Sequence, residues 1–188
     1  KTSSAASDVY KRQIPNIKKM RRNLNIDTYY LAPDVNIIKE ILKLGDEQKR
    51  STNVQADCTS FHTHRYSNTF KYLTNYLNVL YPQHIIEELW GCTYRQGDFA
   101  KTHNHSGFDL AFVWFVDTCS FCSPLVFPDT EHLWLPPLSS IKPLTGNLHV
   151  FRGRDIHYVP PHTCPHDRMI ISGNMALINT MAEQQQQQ

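Results

Sequence analysis

The sequence predicts a mainly β domain, a sandwich or barrel, with supporting helices in its first half. Three observations predict it. Residues 91–178 break into short apolar runs separated by turn residues. Residues 33–90 carry apolar stripes at helical spacing. The run Leu110-Ala111-Phe112-Val113-Trp114-Phe115-Val116 is apolar on both faces, as a strand buried on both sides must be. At 188 residues the chain is expected to form one domain, 14–181, with a core that needs no staples.

In chain order, residues 1–13 resemble a translated sequencing linker and are expected to be linker or disordered. Residues 14–32 read as an irregular or edge-strand lead-in to Tyr29, Tyr30 and Leu31. A helix follows, with Pro33 in its first turn, Val35, Ile38, Ile41 and Leu42 as its apolar stripe, and Gly45 as its stop. Residues 46–56 are polar and predict a loop. A second helix starts at Asn68, the expected cap, and carries Phe70, Leu73, Leu77 and Leu80 on one face. Pro82 ends it or opens another turn, and Ile85, Ile86, Leu89 and Trp90 continue the helical support to Gly91. These stripes predict packing against a sheet rather than a cofactor box. The strands are then expected at 91–95, 110–117, 125–128, 132–135, 148–151, 156–159 and 168–178. Gly97, Ser106-Gly107, Pro124, Pro136-Pro137, Gly146, Gly153 and Pro160-Pro161 stand between them. Residues 182–188 end in a low-complexity glutamine tail.

The formal charge of +2 argues against nucleic acid or an anionic membrane as partner. The run Lys18-Lys19-Met20-Arg21-Arg22 reads as a solvated or disordered arm. No apolar stretch reaches the length of a membrane span and no apolar signal segment opens the chain, so a cytoplasmic protein is expected. Five cysteines, two of them in Cys119-x-x-Cys122, favour metal binding or free thiols over structural disulfides. Cys58 and Cys92 read as core thiols.

The chemistry concentrates in four places. His103 and His105 are two residues apart, so in an extended segment both imidazoles share a face. His157 opens a later strand. Three imidazoles can hold iron, zinc, copper or nickel and leave positions open. His62-Thr63-His64 repeats the spacing but has no evident partners. Arg168 opens an apolar strand in which Arg168, Ile170, Ser172 and Asn174 share one face while Met169, Ile171 and Gly173 take the other. A buried guanidinium must be paired, either with a carboxylate of a bound dicarboxylate or with Asp129, Asp155 or Asp167.

Taken together, Tyr94-x-x-Gly97 placed nine positions before His103 in His103-x-His105, Gly146-Asn147-Leu148-His149-Val150-Phe151, His157, and Arg168-Met169-Ile170-Ile171-Ser172-Gly173-Asn174 resemble the Fe(II)/2-oxoglutarate-dependent oxygenases. The match is to the prolyl-hydroxylase-like branch and to oxygenases common in marine phages and bacteria. The resemblance implies a double-stranded β-helix, the jelly roll of cupin-like proteins. It implies His103 and His157 as iron ligands, and Arg168 on the distal carboxylate of 2-oxoglutarate. Tyr94, Ser172 and Asn174 would line the co-substrate site. The implied reaction takes O2 and 2-oxoglutarate, releases succinate and CO2, and hydroxylates a protein or small molecule.

The chain departs from the family at His105, where the common motif has Asp or Glu. We read His105 as a third ligand, with Asp109 as the nearby substitute. That departure keeps two alternatives open: a cupin-like three-histidine metalloenzyme without 2-oxoglutarate, and a non-catalytic jelly-roll module. In the same fold the loops carrying Cys119-x-x-Cys122 and His162-Thr163-Cys164-Pro165-His166 would meet. Cys119, Cys122 and Cys164 with His162 or His166 are then expected to form a structural zinc site, against free thiols or a Cys119–Cys122 disulfide. Tyr158 and Trp134 are the aromatic candidates for the substrate mouth, against a role in packing.

Overall fold

A computed structural model describes residues 23–45, 49–51 and 53–178. The linker-like segment 1–13, the basic run 18–22 and the glutamine tail lie outside the described residues. In chain order the elements are β1 (Ile26–Tyr30), α1 (Val35–Gly45), β2 (Lys49–Ser51), β3 (Val54–Cys58), a 3-10 turn (Thr63–Arg65) and α2 (Asn68–Leu80). The remainder is strand: β4 (His84–Tyr94), β5 (Phe99–His103), β6 (Leu110–Asp117), β7 (Leu125–Phe127), β8 (Ser139–Ile141), β9 (Asn147–Arg152), β10 (His157–Val159) and β11 (Arg168–Leu177).

The sheet order is β1-β9-β6-β11-β4-β3-β5-β10-β7-β8, with β2 on β3. The sheet folds over at β3, whose Asp57-Cys58 end pairs with β4 and whose Val54-Gln55 end pairs with β5. This is the curled antiparallel jelly roll that the resemblance implies, a form of the sandwich or barrel that the short-strand texture predicts.

Strand β6 shows why two layers form. Its period-two alternation sends Phe112, Trp114 and Val116 to one face, against Ile37, Ile41, Phe70, Leu73 and Leu77 of the helices. Ala111, Val113 and Phe115 go to the other, against Phe127, Phe151, Val159 and Ile170 inside the barrel. The Trp114 indole donates to the Leu31 carbonyl at 3.0 Å, so its one polar atom is satisfied at no cost to burial. Strand β11 alternates in the same way, with Met169 and Ile171 toward the helices and Ile170 inward.

Several sequence expectations shift. Helix α1 buries Ile37 and Ile41, while Val35 and Leu42 are exposed. The cap of α2 is Ser67, whose hydroxyl accepts from the Phe70 amide, and Asn68 sits inside the first turn. Residues 84–90 are strand, not helix: they are the first part of β4, paired to β11 along its whole length. A short apolar run has no decisive period, and here the available partner strand decides. The loop expected at 46–56 contains β2 and the start of β3. Residues 132–135 form a turn closed by Leu135 N–H to the His132 carbonyl at 2.9 Å, leaving Leu133 and Trp134 exposed. Strands β5 and β8 carry too many polar residues to register as apolar runs.

Gly173 lies between β4 and β6, where an added Cβ would strike the Glu88 carbonyl oxygen and the Phe112 ring. Gly173→Ala is expected to cost about 1–3 kcal/mol through overpacking. A lower urea midpoint with an unchanged slope checks it.

Candidate active site

Strands β5 and β10 pair with His103 directly opposite His157, which brings their ring centroids to 4.4 Å. His105 lies two residues past β5, held by its amide on the Gly153 carbonyl at 2.7 Å. Its ring stacks on His157 at 5.1 Å and 13°. One ring nitrogen from each of the three lies within 4.8 Å of the others.

The backbone sets the tautomers of two of them. His103 Nδ1 is 2.6 Å from the Lys101 carbonyl, and His157 Nδ1 is 2.9 Å from the Asp155 carbonyl. A carbonyl only accepts, so each Nδ1 carries the hydrogen and each Nε2 keeps a lone pair for a metal. Burial lowers all three pKa values, most for His157 and His105, to about 3 and about 4, with the neighbouring imidazoles adding to the effect. Neutral imidazoles are the form that binds metal. The donor set therefore fits a divalent ion such as Fe(II), and it contains three histidines and no carboxylate. Asp109 does not substitute, because its carboxylate is paired with His84 at 2.7 Å.

Arg168 is the cross-strand partner of Tyr94, and its guanidinium carbon sits 4.8 Å from the Tyr94 ring centroid and 5.2 Å from that of Phe115. The side chain is fully buried, and by geometry Nε and both terminal nitrogens make no hydrogen bond among the described residues, although the Tyr94 phenol lies close enough to favour the charge. Burial works against the charge, and the Tyr94 phenol and Cys122 thiol nearby work for it. Burial also raises the Tyr94 pKa, so the phenol is a neutral donor at pH 7. The expected alternative, an ion pair with Asp129, Asp155 or Asp167, does not form as a hydrogen bond to Arg168. Asp129 instead accepts from the Glu131 and His132 amides, and Asp167 faces Arg95.

Arg168, Tyr94 and Ser172 line one inner cavity with His103, His105 and His157. Asn174 shares the face of Arg168 but stands further out, where its amide donates to Glu88 at 2.7 Å. It lines an outer cleft of about 230 Å³ with Glu88, Phe61, Trp90, Phe108 and the first two histidines. Sequence reasoning missed Glu88, Phe61 and Phe108. The signal for Glu88 was the alternation Glu88-x-Trp90-x-Cys92-x-Tyr94, hidden by reading 84–90 as helix. Trp134 stands edge-on to His132 and Tyr158 pairs with Val126; neither lines this cleft.

The Tyr94-x-x-Gly97 motif has a backbone reason. Gly97 has φ +95° in the β4–β5 turn, a conformation that favours glycine. Its amide donates to the His162 carbonyl at 2.7 Å, and the His162 amide returns a bond to Asp98 at 2.7 Å. The second histidine pair gathers nothing: His62 Nδ1 lies on the Glu87 carbonyl, and the His62 and His64 rings are 6.4 Å apart. Cys119, Cys122 and Cys164 do converge, whereas His162 and His166 stay outside their cluster. Cys58 and Cys92 are buried in the barrel as core thiols.

No protein-family model and no curated protein sequence matches the chain. Solved structures do. The prolyl-4-hydroxylase of Pseudomonas putida superposes with a TM-score of 0.61 at 12% identity, over 82% of this chain and 94% of that one. The viral collagen prolyl hydroxylase of Paramecium Bursaria Chlorella virus-1, solved with 2-oxoglutarate, gives 0.57 at 13%, over 81% and 96%. HygX of Streptomyces hygroscopicus, solved with nickel and 2-oxoglutarate, gives 0.60 at 9%, over 89% and 87%. The chain thus has the double-stranded β-helix fold seen in 2-oxoglutarate oxygenases.

Removing any one histidine leaves two ligands. His103→Ala, His105→Ala and His157→Ala are each expected to weaken Fe(II) or Co(II) binding by more than the ~10–100-fold that an outer-shell loss costs. Isothermal titration of the apoprotein under anaerobic conditions checks it.

Proposed function

We propose that this protein is an Fe(II)- and 2-oxoglutarate-dependent dioxygenase that hydroxylates a protein or small-molecule substrate. One observation carries the reading: a buried guanidinium with no hydrogen-bond partner among the described residues lines the cavity that also holds three convergent histidines. A fork of donors in an apolar wall calls for a planar anion, and a carboxylate fits it with two parallel hydrogen bonds. The solved structures with this fold include two that hold 2-oxoglutarate, which supports the same reading.

His103, His105 and His157 would hold the iron, His103 and His157 through Nε2. Arg168 would take the distal carboxylate of 2-oxoglutarate, with the Tyr94 phenol and Ser172 hydroxyl as neutral donors beside it. Iron and co-substrate together supply the oxidative decarboxylation to succinate and CO2 and the oxidation of a substrate C–H bond. The chain's own part is orientation and exclusion of water. Val113, Leu125 and Ile170 wall the inner cavity with hydrocarbon. Glu88, Phe61, Trp90 and Phe108 receive the primary substrate at the outer cleft.

His105 adds a constraint. With no carboxylate among the ligands, the protein leaves the charge of the metal uncompensated, and a dianionic co-substrate is the group that offsets it. The same residue favours a second reading, a three-histidine metalloenzyme that does not use 2-oxoglutarate. No helix among the described residues is long and apolar enough to cross a membrane. All five cysteines are free thiols, which supports a reducing, cytoplasmic compartment. The near-neutral charge gives nucleic acid no electrostatic foothold.

Anaerobic titration with Fe(II) and 2-oxoglutarate is expected to develop a saturable visible metal-to-ligand charge-transfer band. Arg168→Ala removes one partner of a buried charged pair, worth about 2–5 kcal/mol, so co-substrate affinity should fall ~30-fold or more while iron still binds. Iron binding without a band selects the three-histidine alternative. Neither iron nor band leaves a non-catalytic module.

A further inference from the structure

We propose that Cys119, Cys122 and Cys164 bind a zinc ion that clamps the β6–β7 loop to the β10–β11 loop. The site is separate from the histidine centre and does not rest on the oxygenase reading. Cys119 and Cys122 lie on one loop and Cys164 on the other, 45 residues from Cys119. Their sulfurs nevertheless meet, 3.6 Å apart for Cys119 and Cys122, and 3.3 Å for Cys119 and Cys164. All three lie within 4.8 Å of one another. Tetrahedral zinc with Zn–S bonds of about 2.3 Å sets its sulfurs about 3.8 Å apart, so small shifts suffice to seat the ion.

A disulfide uses this arrangement less well. It would join two sulfurs at about 2.05 Å and strand the third thiol against the bond. The three sulfurs surround a point instead, and backbone donors face two of them. The Cys119 amide lies 3.3 Å from Cys122 Sγ, and the His166 amide lies 3.4 Å from Cys164 Sγ. Such N–H donors stabilise thiolates, the form a metal requires. Binding releases the three thiol protons and leaves one net negative charge on the ion and its sulfurs. Thiolates are soft donors, so the cluster suits zinc rather than a hard cation.

The expected histidine ligand is not among the three. The His162 ring accepts from the Ser123 amide on Nδ1 and faces the His166 carbonyl on Nε2, so both nitrogens are used. His166 is held by Asp117 at 3.2 Å. Cys119 is the least buried of the three, and a water would complete the shell. The clamp would also fix the strand that carries the buried guanidinium, since β11 begins four residues after Cys164.

The test uses the full chain purified under reducing conditions, with His103→Ala/His157→Ala to remove the competing histidine centre. Co(II) titration of that variant should give the intense visible bands of tetrahedral cobalt and an ultraviolet thiolate-to-cobalt charge-transfer band. One equivalent of zinc should displace them, and adding Cys164→Ser should abolish them. Zinc-edge X-ray absorption on the unsubstituted, zinc-loaded chain counts sulfur ligands without relying on any variant. A sulfur-rich shell supports the clamp. A shell of nitrogen and oxygen alone, no thiolate–cobalt band, or a Cys119–Cys122 or Cys119–Cys164 disulfide mapped in freshly reduced protein overturns it.

Discussion

A buried cation with no hydrogen-bond partner among the described residues sits inside the barrel, and much of the fold is arranged to keep it there. Leaving a charged group buried and unpaired costs several kcal/mol unless something compensates it. The Arg168 guanidinium has the faces of Tyr94 and Phe115 against it, which offset part of that cost. It is held by a strand hydrogen-bonded on both sides, to β4 and β6. The next residues of the same strand, Met169 and Ile171, are locked into the helix-covered layer. The guanidinium cannot swing out to water without pulling those side chains from their core. The guanidinium end of the cavity is therefore held in place by packing rather than by local hydrogen bonds.

This explains which parts of the molecule were legible in the sequence. In β6 and β11 a strict period of two runs through a long apolar stretch, so the inward and outward faces, and the placement of Arg168, follow from the pleat alone. His103 and His157 were legible as chemistry, but their facing register depends on β5, a strand of mostly polar residues. Residues 84–90 were misread because a run such as Ile85-Ile86-Glu87-Glu88-Leu89-Trp90 has no clean period, and its state is set by β11. Glu88 was lost with that misreading. Ser67 and Asn68 can both cap a helix, and sequence alone does not rank neighbours of equal propensity.

The three-histidine set changes the electrostatics of the site more than its shape. Each imidazole is neutral, two of them fixed by a backbone carbonyl on Nδ1, so the chain contributes donors but no negative charge at the metal. Glu88, beside the histidines in the outer cleft, is the nearest acidic side chain lining the approach, and Asn174 holds it in place. If the histidines hold a metal, its charge would be offset by a bound anion on one side and by the cleft wall on the other. The fold itself tolerates wide sequence change, since solved structures at 9–13% identity share it.

The unequal pairing of the strands also divides the site by rate of opening. Strand β11 is in register with β4 at ten positions and with β6 at seven. Strands β5 and β10 share two. By this count of pairings, amide hydrogen exchange should be slowest in the first set, and the second should open locally at lower free energy. The Arg168 end of the cavity and the histidine end would then lie in different cooperative units. On that division the histidine half could breathe while the guanidinium stays protected, and the floor of the cavity would outlast its entrance through many openings.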